Sequence, residues 1–211
     1  MKSFEKLCVF FIIGCVLLFS SAWTANVPAI QYILYVRPDG NLGTDLSNYW
    51  YDVKHSKRQI AHEAITKYPP HCTITSFFIP TQDDNFYLNA IPLAIAQADL
   101  HYARAIQVTH QLRRGNEVDR IVLTSNYLTA LGLAFAAIVG LEDTYVKGPP
   151  GPAFHITLRD HVFVTEGKLE AIQELQDQDI NLYDSSGWLV YLYKCVNNVM
   201  IPIGSPVRLI P

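Results

Sequence analysis

The 211-residue chain is half apolar, only 17% charged, and carries a net charge of −3. That composition excludes a disordered segment and argues against a surface that tracks long nucleic acid. Twelve tyrosines, ten phenylalanines and three tryptophans can fill a sizeable core, in one domain or in two small lobes sharing one.

Lys2 and Lys6 flank a charged start, and Leu7 to Phe19 then runs thirteen residues without a polar side chain before Ser20-Ser21-Ala22. The run is shorter than the roughly 18–20 residues of a membrane span and has the three-part form of a secretory signal. The sequence therefore predicts a signal peptide over residues 1–22, a mature domain over 23–211, and secretion. The alternative is an uncleaved signal-anchor that tethers the protein to a membrane. Beyond Ala22 the chain holds 14 basic and 18 acidic side chains, net −4, which suits a short, locally held ligand. Cys72 and Cys195 are the cysteines outside the signal. In an exported protein they are either one disulfide or two separate buried thiols. No CxxC, HExxH or other metal-ligand spacing occurs, so neither a metal nor a cofactor is expected.

Ile30–Val36 reads as a strand ending at the turn Pro38-Asp39-Gly40. Apolar residues at helical spacing predict a helix from Leu46 to Ala64, stopped by Pro69-Pro70. A strand is expected over His71–Ile79, a polar loop over Pro80–Asn85, and a helix over Ala90–Tyr102 with Pro92 in its first turn. Ala105–Leu112 and Arg120–Thr124 form a predicted hairpin. Ser125 is placed to cap a very apolar, buried helix from Tyr127 to Val139 that Gly140 ends. A strand over Ala153–Leu158, a helix over Lys168–Gln176, and strands at Trp188–Val196 and Val207–Ile210 complete an α+β or mixed α/β pattern.

Each half of this pattern places a helix before a strand that begins His-x-Thr: His71-Cys72-Thr73 and His155-Ile156-Thr157, 84 residues apart. Strand alternation puts His71, Thr73 and Thr75 on one face, and His155, Thr157 and Arg159 on one face of the other strand. The apolar alternates are expected to pack beneath helices. Imidazoles and hydroxyls on the polar face then need solvent or a ligand. Two imidazoles in one cleft suit phosphodiester chemistry, one accepting a proton from the nucleophile and one donating to the leaving oxygen. The bland alternative is a pair of structural histidines on unconnected faces.

The strings Pro70-His71-Cys72-Thr73-Ile74 and Phe154-His155-Ile156-Thr157-Leu158 resemble the paired motif of the two-histidine (2H) phosphoesterase superfamily, which includes 2′-5′ RNA ligase-like proteins and cyclic phosphodiesterases. The resemblance spans roughly residues 29–211. It implies a bilobal α+β fold, two pseudo-symmetric lobes of antiparallel sheet with outer helices, each lobe offering one motif strand. It implies cleavage of cyclic nucleotide phosphates or short RNA ends, with His71 and His155 as the catalytic acid–base pair and Thr73 and Thr157 as phosphate binders. Cys72 stands where the family is usually aliphatic, and a signal peptide is untypical of its intracellular RNA-processing members.

The expected function is thus a secreted, metal-independent phosphodiesterase, monomeric, with a small nucleotide or short RNA as its partner. The alternative is a catalytically silent nucleotide-phosphate binding module of the same fold. Arg159 and Thr75 are further candidate substrate contacts. Tyr68, Phe78 and Tyr145 are candidates to stack on a base. His55, His62, His101 and His110 read as ordinary surface or boundary histidines.

Overall fold

The computed structural model describes residues 30–55, 69–109, 118–148, 154–160 and 187–209. The expected signal segment, the helix beyond His55, Tyr68 and the helix over Lys168–Gln176 lie outside the described residues. The fold is α+β. Its described strands are β1 (Ile30–Pro38), β2 (Cys72–Thr73), β3 (Gln107–Thr109), β4 (Val118–Thr124), β5 (Phe154–Asp160), β6 (Trp188–Val196) and β7 (Val199–Leu209). Its helices are α1 (Gly40–His55), α2 (Asp84–Asp99) and α3 (Asn126–Val139).

The strands form one antiparallel sheet in the order β3-β4-β5-β2-β1-β6-β7. The sheet is continuous, and its two runs, β3-β4-β5 and β2-β1-β6-β7, lie over one main core. They join at Cys72 opposite Ile156, so each run contributes one motif strand to the seam.

Alternation sorts the two faces. Tyr32, Leu34 and Val36 of β1, with Cys72, Ile74, Ile121, Ile156, Val190 and Leu192, enter the main core. Helices α2 and α3 pack together over that face, through Ala90, Ala94 and Ala98 of one and Leu128, Leu131 and Phe135 of the other. Helix α1 adds Leu42, Leu46 and Tyr49 to the same cluster. Ile33, Tyr35 and Tyr193 form a second, smaller cluster on the opposite face. The polar residues of both motifs share that second face.

Most elements follow the sequence closely. Ser125 caps α3 by accepting from Leu128 N at 3.2 Å, and its hydroxyl donates to Ala105 O at 2.7 Å. Gly140 ends α3 with φ 75°, a left-handed conformation that glycine adopts without strain. The helix buries one side only, and Leu133 is 38% exposed, against the expected all-round burial.

Four elements differ. The strand expected over His71–Ile79 is only β2, Cys72–Thr73, followed by isolated bridges at Thr75 and Phe78. Helix α2 starts at Asp84, because Asp83 caps it by accepting from Phe86 N at 2.9 Å. Pro92 therefore lies inside the helix, not in its first turn. It sits on the exposed side, where water can satisfy the Leu88 carbonyl that a proline four residues on leaves without its helical partner. Helix α1 likewise begins earlier than expected, at Gly40. Strand β7 runs over eleven residues although it contains Pro202 and Pro206. Prolines read as strand breakers, but β7 is the last strand of the sheet, and an edge tolerates a missing N–H. Asn197 (φ 50°) and Asn198 (φ 65°) make the tight turn between β6 and β7, as a two-residue hairpin loop requires.

Cys72 and Cys195 are both free. Cys72 faces the main core on β2, whereas Cys195 of β6 pairs with Gln31 of β1 and shares the opposite face with Tyr193. With β1 between their strands, the two thiols are about 10 Å apart laterally and cannot meet.

Gly132 lets α3 approach Ile74, just beyond β2, and Val146. A Cβ there would stand 2.7 Å from Val146 Cγ1 and 3.2 Å from Ile74 Cγ2. Gly132→Val is expected to lower stability by about 2–3 kcal/mol in urea unfolding, the typical cost of overpacking a filled core. An unchanged midpoint contradicts that packing.

Candidate functional site

The register of the sheet builds the site. Cys72 pairs with Ile156, antiparallel, and one step either way along that register sets His71 opposite Thr157 and Thr73 opposite His155. The adjoining ladders carry the rows outward. Val122 pairs with His155 and Arg120 with Thr157 on one side, while Tyr35 pairs with Thr73 on the other. Two cross-strand rows result: Val122–His155–Thr73–Tyr35–Tyr191, and Arg120–Thr157–His71–Arg37–Leu189. The two imidazoles thus lie diagonally across one seam, each beside the other motif's threonine. Directly opposed residues in a sheet have Cβ atoms about 5 Å apart and diagonal neighbours about 7–8 Å, so a single small group can touch all four side chains.

Beneath them Cys72 and Ile156 are fully buried, while His71, Thr73, His155 and Thr157 are half-buried. The seam is thus apolar below and polar above. Burial pushes the Cys72 thiol up to about 12, against the opposing pull of the His155 backbone. It is therefore an uncharged packing group at neutral pH and no nucleophile.

His71 is held closely. Its Nδ1 lies 2.8 Å from Pro69 O. A carbonyl oxygen only accepts, so Nδ1 carries the proton and, in the neutral ring, Nε2 carries the lone pair. The ring stacks on Tyr35 at 3.8 Å between centroids and 25° between planes. Burial first, then the positive charges of Arg37 and His155, push the His71 pKa down to about 4, outweighing the Pro69 bond that raises it. At neutral pH the ring is a proton acceptor.

Around His71 stands a cluster that sequence reasoning did not single out. Tyr35, Tyr191 and Tyr193 form a ring group, with Tyr35–Tyr193 centroids at 5.3 Å and Tyr191–Tyr193 at 5.7 Å. The Arg37 guanidinium carbon lies 5.4 Å from the Tyr191 ring centre, and its charge also acts on the Tyr193 hydroxyl. Burial raises the Tyr193 pKa despite Arg37. The alternation 33, 35, 37 within β1 was the available signal, but the sequence does not say which face of β1 meets the motifs.

One candidate contact falls elsewhere. Thr75 is fully buried, and its hydroxyl oxygen accepts from Leu34 N at 3.0 Å. The cause is a local irregularity: Ile74 N and Thr75 N both donate to Leu34 O, at 2.9 and 3.3 Å, which breaks the two-residue period. Thr75 therefore leaves the face of His71 and Thr73 and serves the backbone of β1. Thr75→Val is expected to cost about 1–3 kcal/mol of stability by orphaning a buried N–H, with kcat preserved in steady-state kinetics. A drop in kcat without a stability loss contradicts that role. Arg159 pairs with Asp119, and the register shifts between Asp119 and Arg120. The alternation that grouped Arg159 with His155 and Thr157 is interrupted at this bulge. Phe78, a candidate for base stacking, is in the core against Tyr32 and Tyr87, with centroids at 6.0 and 5.5 Å. Tyr145 packs against that core, and Ser76 N donates to its carbonyl at 2.7 Å.

No family model matches the chain, and no curated protein matches it. Among solved structures, it is similar to E. coli LigT in its apo form, at 12% identity and a TM-score of 0.38, over 85% of this chain and 96% of that one. It is also similar to Usb1 of Kluyveromyces marxianus, at 12% identity and a TM-score of 0.29, over 85% of this chain and 98% of that one.

Proposed function

We propose that the protein is a phosphodiesterase of the 2H phosphoesterase type, acting without metal or organic cofactor on cyclic nucleotide phosphates or short RNA ends. The observation that carries this reading is the register across β2 and β5, which sets two imidazoles and two hydroxyls around one point. The threonine hydroxyls donate to the non-bridging phosphate oxygens. His71 Nε2 accepts the proton of the attacking water as its oxygen bonds to phosphorus. His155 donates a proton to the departing ribose oxygen as the P–O bond breaks. Water is thereby added across one ester bond, and a final proton exchange between the rings and solvent restores both.

A base pushed down to about 4 is weak in the resting protein. An anionic phosphate beside it favours the protonated ring and raises its pKa, so the base strengthens where substrate is bound. The N-terminal 22 residues, with their short apolar run, favour export, and the protein is proposed to work outside the cell as a monomer.

The test is turnover of a panel by the purified protein in chelator: 2′,3′-cyclic nucleotides, and 2′-5′ and 3′-5′ dinucleotides. Cleavage of one class is expected and names the linkage. Ligand binding with no turnover of any member, by folded protein, overturns the enzyme and leaves a phosphate-binding module.

A further inference from the structure

Arg37 continues the row Thr157–His71 onto β1, and its side chain reaches on toward β6. The guanidinium carbon lies 5.4 Å from the ring centre of Tyr191 on β6, the strand on the far side of β1 from β2. There it lines a pocket of about 310 Å³ with Gly40, Thr44, Asn48 and Tyr191, within the size range of small-ligand sites. Among the described residues no carboxylate pairs with it. The one acid in that lining, Asp39, is already bound to Arg208 at 2.7 Å. The Tyr191 ring face holds the guanidinium, leaving its N–H groups for an anion.

We infer that Arg37 binds a second anionic group of the substrate, a phosphate displaced from the diester held between the two motifs. The ligand class is a phosphodiester nucleotide carrying a further terminal phosphate, such as a nucleoside 2′,3′-cyclic phosphate with a 5′-phosphate. The inference rests on the phosphodiesterase reading above. It adds that the protein selects phosphorylated ends over bare nucleosides. Arg37 is a specificity residue in this account, since the proton transfers belong to the two histidines.

The experiment compares kcat/KM for adenosine 2′,3′-cyclic phosphate with and without a 5′-phosphate. Wild type is expected to prefer the 5′-phosphorylated form by about 10- to 100-fold, the worth of one charged hydrogen-bonding contact. Arg37→Gln is expected to bring the two within about two-fold, Arg37→Lys to keep part of the preference, and added salt to erode it. Equal rates in wild type, or a preference that survives in Arg37→Gln, overturn the inference. A measurement without turnover separates it from the catalytic reading. Calorimetric titration with adenosine 3′,5′-bisphosphate and adenosine 3′-monophosphate is expected to show tighter binding of the bisphosphate in wild type only. If the panel is silent but this difference stands, the enzyme falls and the anion site remains. If the two ligands bind alike, the anion site falls.

Discussion

Replacing either His71 or His155 with alanine is expected to lower kcat/KM by about a hundred- to ten-thousand-fold, the range for loss of a positioned acid or base. In the proposed mechanism each ring serves one end of a single displacement, so the double variant is expected to lose little more than the worse single one. Purely additive losses in the double variant point to independent roles. The fold survives these changes because both side chains stand on the half-buried face, above the buried pair Cys72 and Ile156. His71→Ala gives up the stack on Tyr35, worth about 0.5–1.5 kcal/mol by analogy with aromatic pairs, which a urea midpoint reads separately from rate. Wild-type rates in either single variant contradict the assignment.

The second large effect is on pH. Free-enzyme groups govern kcat/KM, and His71 is pushed down to about 4. The acid limb of kcat/KM is therefore expected near pH 4, well below the ordinary histidine range. An acid limb near 6.5 contradicts His71 as the base. Stability carries the same signature. The folded pKa of His71 is lower than the unfolded one, so on acidification the unfolded chain takes up the proton first. The stability at stake is fully present above about pH 6.5 and is lost as pH falls toward 4. The loss is at most about 3 kcal/mol, and His71→Gln is expected to flatten the profile over that window in thermal melts.

How much of this was legible in the sequence follows from the range of the forces involved. The period-two alternation of His71-Cys72-Thr73 and His155-Ile156-Thr157 is local, and it correctly separated a polar face from an apolar one. Ser125 and Gly140 are local signals too, and both ends of α3 follow them. Strand β6 begins and ends where its β-branched and aromatic run does. The pairing of Cys72 with Ile156 is a contact between distant segments, and nothing near either residue encodes it. The same holds for Tyr35 and Arg37, whose place beside His71 depends on which strand lies next to β1. Thr75 was misplaced because two successive N–H groups share Leu34 O, an irregularity that composition does not announce. In β7, the expected strand began only at Val207, because the sequence does not reveal that a run containing Pro202 and Pro206 would lie at an edge.

The central claim is that His71 and His155 serve one phosphate. Long-range proton–nitrogen NMR of the imidazoles, each assigned through its alanine variant and followed while adenosine 3′-monophosphate is added, tests it most directly. The account predicts that both rings shift along one saturation curve, with His71 protonated at Nδ1 and neutral before ligand is added. A response from one ring alone, or two curves with different midpoints, contradicts a shared site.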